Sequence, residues 1–261
     1  MYDSVVLQNY LFITIKNDLV FGSNAGLESF IELRLTSDIK GVVLNLTQTK
    51  YIDSSGISHI IRLKKMIDSC MKNFFIVVDN PRIEKVLGIS RIDNFIHIFK
   101  NNQDVFEFHS SGEERSINDL FEYKIGIPGE YKYIEIVEGF LEKILDKHYD
   151  YEDNDKYDID MYLEEAISNS IEHGYQESGS KGKICVMAVC RRTELVIFVD
   201  DYGKGFDASK IMDRVEESIT RDSLRGRGIM ILKGISDEIH IDSVENKFSS
   251  IIIVKKLNMK E

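Results

Sequence analysis

Apolar positions along the chain switch between two spacings, and the switches mark its elements. "YLFITIK" (10–16), "GVVLNL" (41–46) and "NFFIVV" (73–78) are short apolar runs rich in branched and aromatic residues. Such runs predict sheet strands covered on at least one face by helices. Between them the period lengthens. "NAGLESFIELRL" (24–35) places Leu27, Phe30 and Ile31 on one helical face, and a helix from about Ser55 carries Ile57, Ile60, Ile61 and Ile67 at helical spacing. Pro81 opens a short helix that ends near Gly88, and "FIHIF" (95–99) predicts the last strand. Residues 1–108 are expected to form a small α/β domain, a mixed sheet with helices on one face.

The stretch "HSSGEERSINDLFE" (109–122) is polar and lacks apolar periodicity, and predicts a linker. After it, "YKIGI" (123–127) predicts a strand stopped by Pro128. Residues 130–147 predict a helix burying Ile134, Val137, Leu141, Ile144 and Leu145. Residues 158–175 predict another, burying Leu163, Ala166, Ile167 and Ser170 and stopped by Gly174. "KICVMAVC" and "ELVIFVD" read as a hairpin joined at "RRT". A polar, glycine-bearing segment (201–228) leads into "GIMILKGI", and "EIHIDS" and "FSSIIIVKK" close the sheet. For residues 123–261 the expectation is an α+β sandwich with helices on one face of a mainly antiparallel sheet.

Length and charge narrow the function. A chain of 261 residues with 43% hydrophobic and 30% charged residues suits two globular domains. Its net charge of −11 argues against a general nucleic-acid binder and fits a protein that meets nucleotides or other proteins at local sites. The three cysteines have no metal-ligand spacing; Cys185 and Cys190 lie in apolar runs and read as buried thiols. No secretory leader and no apolar run near the ~20 residues needed to span a bilayer are visible. The expectation is a reduced, cytoplasmic protein with no membrane and no direct nucleic-acid contact.

Three short motifs in the C-terminal half carry candidate chemistry. Glu165 and Asn169 are four residues apart and project from one side of their helix, about 40° apart. A carboxylate there can take a proton from an attacking hydroxyl, while an amide oxygen one turn on can hold Mg2+. The same pair also reads as an exposed polar face. In "DDYGKGFD" (200–207), Asp201 ends a strand and Gly203 and Gly205 permit close approach of a flat ligand, whose exocyclic amine the carboxylate can accept from. "LRGRGIMIL" (224–232) sets Gly226 and Gly228 before an apolar helix whose free N–H groups attract phosphate. Each motif alone is also ordinary turn or surface chemistry.

In their order and spacing, "EEAISNSIEHGY", the hairpin, "DYGKGF" and "RGRGIMIL" resemble the Bergerat-fold ATPases, the group that includes gyrase, histidine kinases and MutL. The "EAISNSIEHGY" version is most similar to the anti-sigma-factor serine kinases. The resemblance spans about residues 123–256. It implies ATP and Mg2+ as cofactors, Glu165 as general base, Asn169 as Mg2+ ligand and Asp201 as adenine anchor. Gly203, Gly205, Gly226 and Gly228 would surround the nucleotide. In that family an arginine just ahead of the second glycine motif reaches the γ-phosphate. The aligned position here holds Leu224, with Arg225 one residue later and Arg221 and Arg227 nearby; Arg225 could serve, and it reads equally as a solvated loop charge. No convincing phospho-acceptor histidine precedes the ATPase, which disfavours a histidine kinase; His148 and His173 have structural readings.

With that in view, "VVLNLTQTKYIDSSGISHIIRLKK" and "NPRIEKVLGISRIDNFIHIF" resemble the STAS domain of anti-sigma-factor antagonists, whose D-S-S-G loop carries the serine that the partner kinase phosphorylates. By position that serine is Ser55, with Ser54 as runner-up. Asp53 or Ser54 also makes a good helix N-cap, and the two readings coexist, since a phosphate at a helix N-terminus is favoured by the dipole. Kinase and substrate thus share one polypeptide. A short flexible tether gives an effective concentration of about mM, and a linker of this length spans roughly 20 Å. Transfer within one chain, between chains, or in a homodimer all remain open. The resemblance implies a phosphorylation-controlled partner switch acting on a sigma factor. Alternatives are a non-catalytic, nucleotide-dependent scaffold, and a kinase acting on a separate STAS protein.

Overall fold

The computed structural model describes residues 2–23, 26–108, 120–175, 182–205 and 227–260. It forms two compact units, Met1–Asn118 and Asp119–Glu261. In the first unit, β1 (Tyr2–Leu7) and β2 (Tyr10–Ile15) form an antiparallel hairpin. Its two-residue turn puts Gln8 and Asn9 at φ 49° and 67°, the left-handed values that match strand twist. There follow α1 (Leu27–Glu32), β3 (Gly41–Asn45), α2 (Ser54–Ser69), β4 (Asn73–Val77), α3 (Pro81–Ile89), β5 (His97–Phe99) and α4 (Asn102–Glu107). The sheet order is β1-β2-β3-β4-β5, with every pair from β2 onward parallel.

Both faces of this sheet are covered. Ile13, Leu44 and Ile76 stand in register on one face, and their neighbours Phe12, Val43 and Phe75 on the other. The second set packs with Val77 and with Val105 and Phe106 of α4. Periodicity missed β1 and α4. β1 is an edge strand whose residues after Tyr2 are all exposed, so no buried face imposes alternation. α4 has six residues, under two turns, with Val105 alone buried.

The second unit runs β6 (Phe121–Pro128), α5 (Ile134–His148), β7 (Tyr149–Asp150), α6 (Asp153–Asn169), β8 (Lys183–Arg191), β9 (Glu194–Asp201), α7 (Arg227–Ile235), β10 (Glu238–Val244), β11 (Phe248–Lys256) and β12 (Asn258–Met259). The main sheet, β10-β11-β9-β8-β6, is antiparallel throughout, and β7 pairs with β12 in a two-residue ribbon. One sheet face, with Val186, Ala188, Ile197 and Ile253, packs on Leu141 and Leu145 of α5, Leu163 and Ala166 of α6 and Leu232 of α7. Cys185 and Cys190 are buried, as their apolar surroundings suggest.

α6 begins five residues earlier than its periodicity indicated. The cause is a reciprocal cap: Glu152 and Asp155 each bond the other's backbone N–H, which starts a helix on residues with no apolar period. Its far end becomes a π segment, Ser170–Tyr175. α6 is anchored between: Tyr162 is fully buried and its hydroxyl donates to the Ile251 carbonyl at 2.8 Å. Lys255 of β11 pairs with Asp158 at 2.6 Å and Asp155 at 3.4 Å, tying down the first turns. Among the described residues no helix is long and apolar enough to cross a membrane.

Candidate functional site

The D-S-S-G loop of the first unit is held by backbone pairing. Leu19 N–H donates to the Tyr51 carbonyl (3.0 Å) and Asp53 N–H to the Leu19 carbonyl (3.1 Å). Asp53 is the N-cap of α2: one carboxylate oxygen accepts from Gly56 N–H (3.0 Å), the other from Phe21 N–H (2.8 Å). Gly56 has no room for a side chain, because a Cβ would overlap the Leu19 carbonyl oxygen. The two serines that follow the cap differ in access. Ser54 is wholly buried, whereas Ser55 is partly exposed.

In the second unit, α6 brings Glu165 and Asn169 together, with Asn169 Nδ2 donating to Glu165 Oε1 at 3.1 Å. Both are half-buried, and it is the neighbouring Glu164 that faces solvent, so the pair is not an exposed polar face. The first turn of α7 lies against it: a Cβ on Gly228 would overlap Glu165 Oε1. Only glycine lets that backbone come so near the carboxylate.

Asp201 ends β9 and is 3% exposed. Burial pushes its carboxyl up to about 6, against the Gly203 amide, further hydrogen bonds from Ser170 and Ser249, and the charge of His173. The Gly203 N–H donates to it at 3.0 Å. A Cβ on Gly174 would stand 2.8 Å from Asp201 Oδ1, and one on Gly203 would overlap the Gly174 carbonyl. Gly205 adopts φ +56°, and a Cβ there would overlap the Val244 carbonyl. The loop is pinned by Lys204 N–H donating to the Gly174 carbonyl (3.1 Å) and Asn246 N–H to the Lys204 carbonyl (2.6 Å).

The expected nucleotide residues thus gather at the end of α6, the end of β9 and the start of α7. Arg225 and Gly226 lie outside the described residues. Ser170, Gly174, Tyr175 and Ser249 belong to the same construction and were not assigned to it from sequence. Ser249 stands opposite Asp201 in the β9–β11 register, a pairing that follows only once those strands are known to be neighbours.

The groups gathered here suit a nucleotide. A buried carboxylate at a strand end, crowded by glycine backbone, offers an acceptor and a flat approach to a ring bearing an amine. Among the described residues no group of three or more His, Cys, Asp or Glu forms a metal site. The one metal ligand expected is Asn169, and a single protein oxygen suits Mg2+, which keeps most of its waters and binds largely through substrate phosphates.

Comparison with known proteins finds matches for both halves of the chain. The STAS domain model matches residues 2–105, and the model described as a histidine kinase-like ATPase domain matches residues 127–255. The anti-sigma F factor of Clostridium acetobutylicum is 32% identical over 105 residues, covering 40% of this chain and 72% of that protein. The serine-protein kinase RsbW of Bacillus licheniformis is 26% identical over 120 residues, covering 44% of this chain and 73% of that one. Among solved structures, a putative anti-sigma factor antagonist from Thermotoga maritima aligns with a TM-score of 0.34 and 18% identity, over 41% of this chain and 92% of that one. The chain therefore belongs to the family of anti-sigma factors and serine-protein kinases with a histidine kinase-like ATPase domain, here joined on one polypeptide to a STAS domain.

Proposed function

We propose that the chain is an ATP- and Mg2+-dependent serine kinase whose own STAS unit carries the phospho-acceptor, and that it works as a partner switch on a sigma factor. The observation that carries this reading is the half-buried Glu165, hydrogen-bonded by Asn169 and pressed against the Gly228 backbone, in a chain that also presents a partly exposed serine behind an Asp53 cap. ATP supplies the phosphoryl group, with Mg2+ offsetting the charge of its phosphates. Glu165 takes the proton of the serine hydroxyl, and the Asn169 side chain both orients that carboxylate and offers an oxygen to the ion. Asp201 accepts from the adenine amine. Gly203, Gly205, Gly226 and Gly228 allow backbone to approach the nucleotide, and Arg225 reaches its terminal phosphate.

Ser55 is the acceptor in this reading, because reaching the buried Ser54 would require unravelling the first turn of α2. A phosphate on Ser55 adds about −1.5 to −2 charges. Nearly all of the chain's net charge of −11 lies in the second unit, so phosphorylation sets like charge against like and favours release of the STAS unit. Domains at 1–108 and 123–261, tethered by 109–122, keep the two at high local concentration. The names of the relatives point to a sigma factor as the third partner.

Incubation of the full chain with Mg-ATP, followed by peptide mass spectrometry, tests the reading. One phosphate is expected on the peptide spanning residues 51–60, absent in Ser55→Ala and in Glu165→Gln, with ATP binding kept in Glu165→Gln. Bound nucleotide without phosphoserine in the unsubstituted chain would replace this reading by a nucleotide-dependent scaffold or by a kinase acting on a separate STAS protein.

A further inference from the structure

Tyr175 closes the π segment that extends α6, and its hydroxyl joins the start of β8 to the residue that follows Asp201. π turns of this kind recur at functional sites, because they displace the residues that follow from the helical path. The side chain is 4% exposed, and its ring fills the space where a Cβ on Gly182 would stand. A Cβ on Gly129 would also lie 2.8 Å from the ring. Its hydroxyl donates to the Lys183 carbonyl at 2.7 Å and accepts from the Tyr202 N–H at 2.8 Å. Tyr202 directly follows Asp201. The preceding residue, Gly174, contributes the second link, its carbonyl accepting from Lys204 N–H at 3.1 Å.

We propose that Tyr175 is a positioning residue for nucleotide selection: through the Tyr202 amide it fixes where the Asp201 carboxylate stands relative to α6, and so enforces the choice of adenine over guanine. The inference rests on the nucleotide site proposed above. Adenine presents an amine where guanine presents a carbonyl oxygen, so a carboxylate held in one place accepts from the first and repels the second. A carboxylate free to shift loses that distinction. Without the Tyr175 hydroxyl, the Tyr202 N–H loses that acceptor, and the link from the Asp201 loop to the end of α6 rests on the Ser170 hydroxyl and the Lys204–Gly174 bond. The ring, still packed on Gly182, would hold the fold.

The test is equilibrium binding of Mg-ATP and Mg-GTP to the full chain and to Tyr175→Phe. ATP affinity is expected to fall about five- to tenfold and GTP affinity to stay within about twofold, so that the preference for ATP shrinks, the scale set by one lost hydrogen bond. A purely structural role would weaken both nucleotides together or remove the cooperative unfolding transition, and either result overturns the proposal. So does an ATP preference equal to that of the unsubstituted chain. Hydrogen exchange in the unsubstituted chain is the independent check: the Tyr202 amide should be protected, and exchange at the rate of a free amide overturns the proposal. Failure of the unsubstituted chain to bind either nucleotide would instead remove the nucleotide site itself, and the inference with it.

Discussion

At the scale of single residues, Asp201 shows what the site costs the fold. Its carboxyl ordinarily titrates near 3.8 and is raised by burial to about 6. The folded chain therefore holds this proton over a range where the unfolded chain has released it. Stability falls as pH rises from about 4 to about 6, and above that the whole penalty is present. Asp201→Asn should thus raise stability at pH 7 by about 1–3 kcal/mol, judged from the size of the shift. The gain should vanish at pH 4, and ATP binding should weaken. Denaturant unfolding at the two pH values checks it; an equal gain at both would mean that packing, not the buried charge, is responsible. The residue types at this site were legible in the sequence: Glu165, Asn169, Asp201 and the glycines all come from short motifs. Which serine of the D-S-S-G loop is accessible was not, because burial of Ser54 is decided by α2 packing onto its sheet.

At the scale of elements, α6 carries both Glu165 and Asn169, so its seating sets their position. The Tyr162 hydroxyl, one turn before Glu165, reaches the Ile251 carbonyl of β11 across the core. Tyr162→Phe keeps the ring and loses that bond. The expected cost is about 1 kcal/mol, the net worth of one buried hydrogen bond, read as a lower urea midpoint with unchanged slope. No change in midpoint would show that α6 is seated by its apolar face and by Lys255 alone. The apolar period found this helix as far as Tyr175 but missed its start and its change to π geometry. Its start depends on the Glu152–Asp155 cap, and its end on a π segment that no hydrophobic spacing encodes. β1 and α4 escaped for a related reason: an exposed edge strand and a six-residue helix each bury too little to leave a period.

At the scale of the whole molecule, the tether makes a kinetic prediction. For the proposed kinase, transfer to the acceptor on its own chain at an effective concentration of about mM predicts that the rate of phosphate incorporation per chain does not change between roughly 0.1 and 10 µM protein. A rate that climbs in proportion to concentration would mean transfer between separate chains. What the sequence alone determined is the class of each half and the residue types of the chemistry. Strands, helices and glycine-rich turns leave local signatures, and nearest-neighbour forces act along the chain. What only the tertiary structure decided is which of those residues meet. Gly228 seats a helix against Glu165 from more than sixty residues away. Ser249 faces Asp201 through strand register, and Tyr175 bonds Tyr202 through a distorted helix end. Those contacts join elements far apart in sequence, and burial, backbone pairing and the space left by missing side chains select them only after the chain has folded.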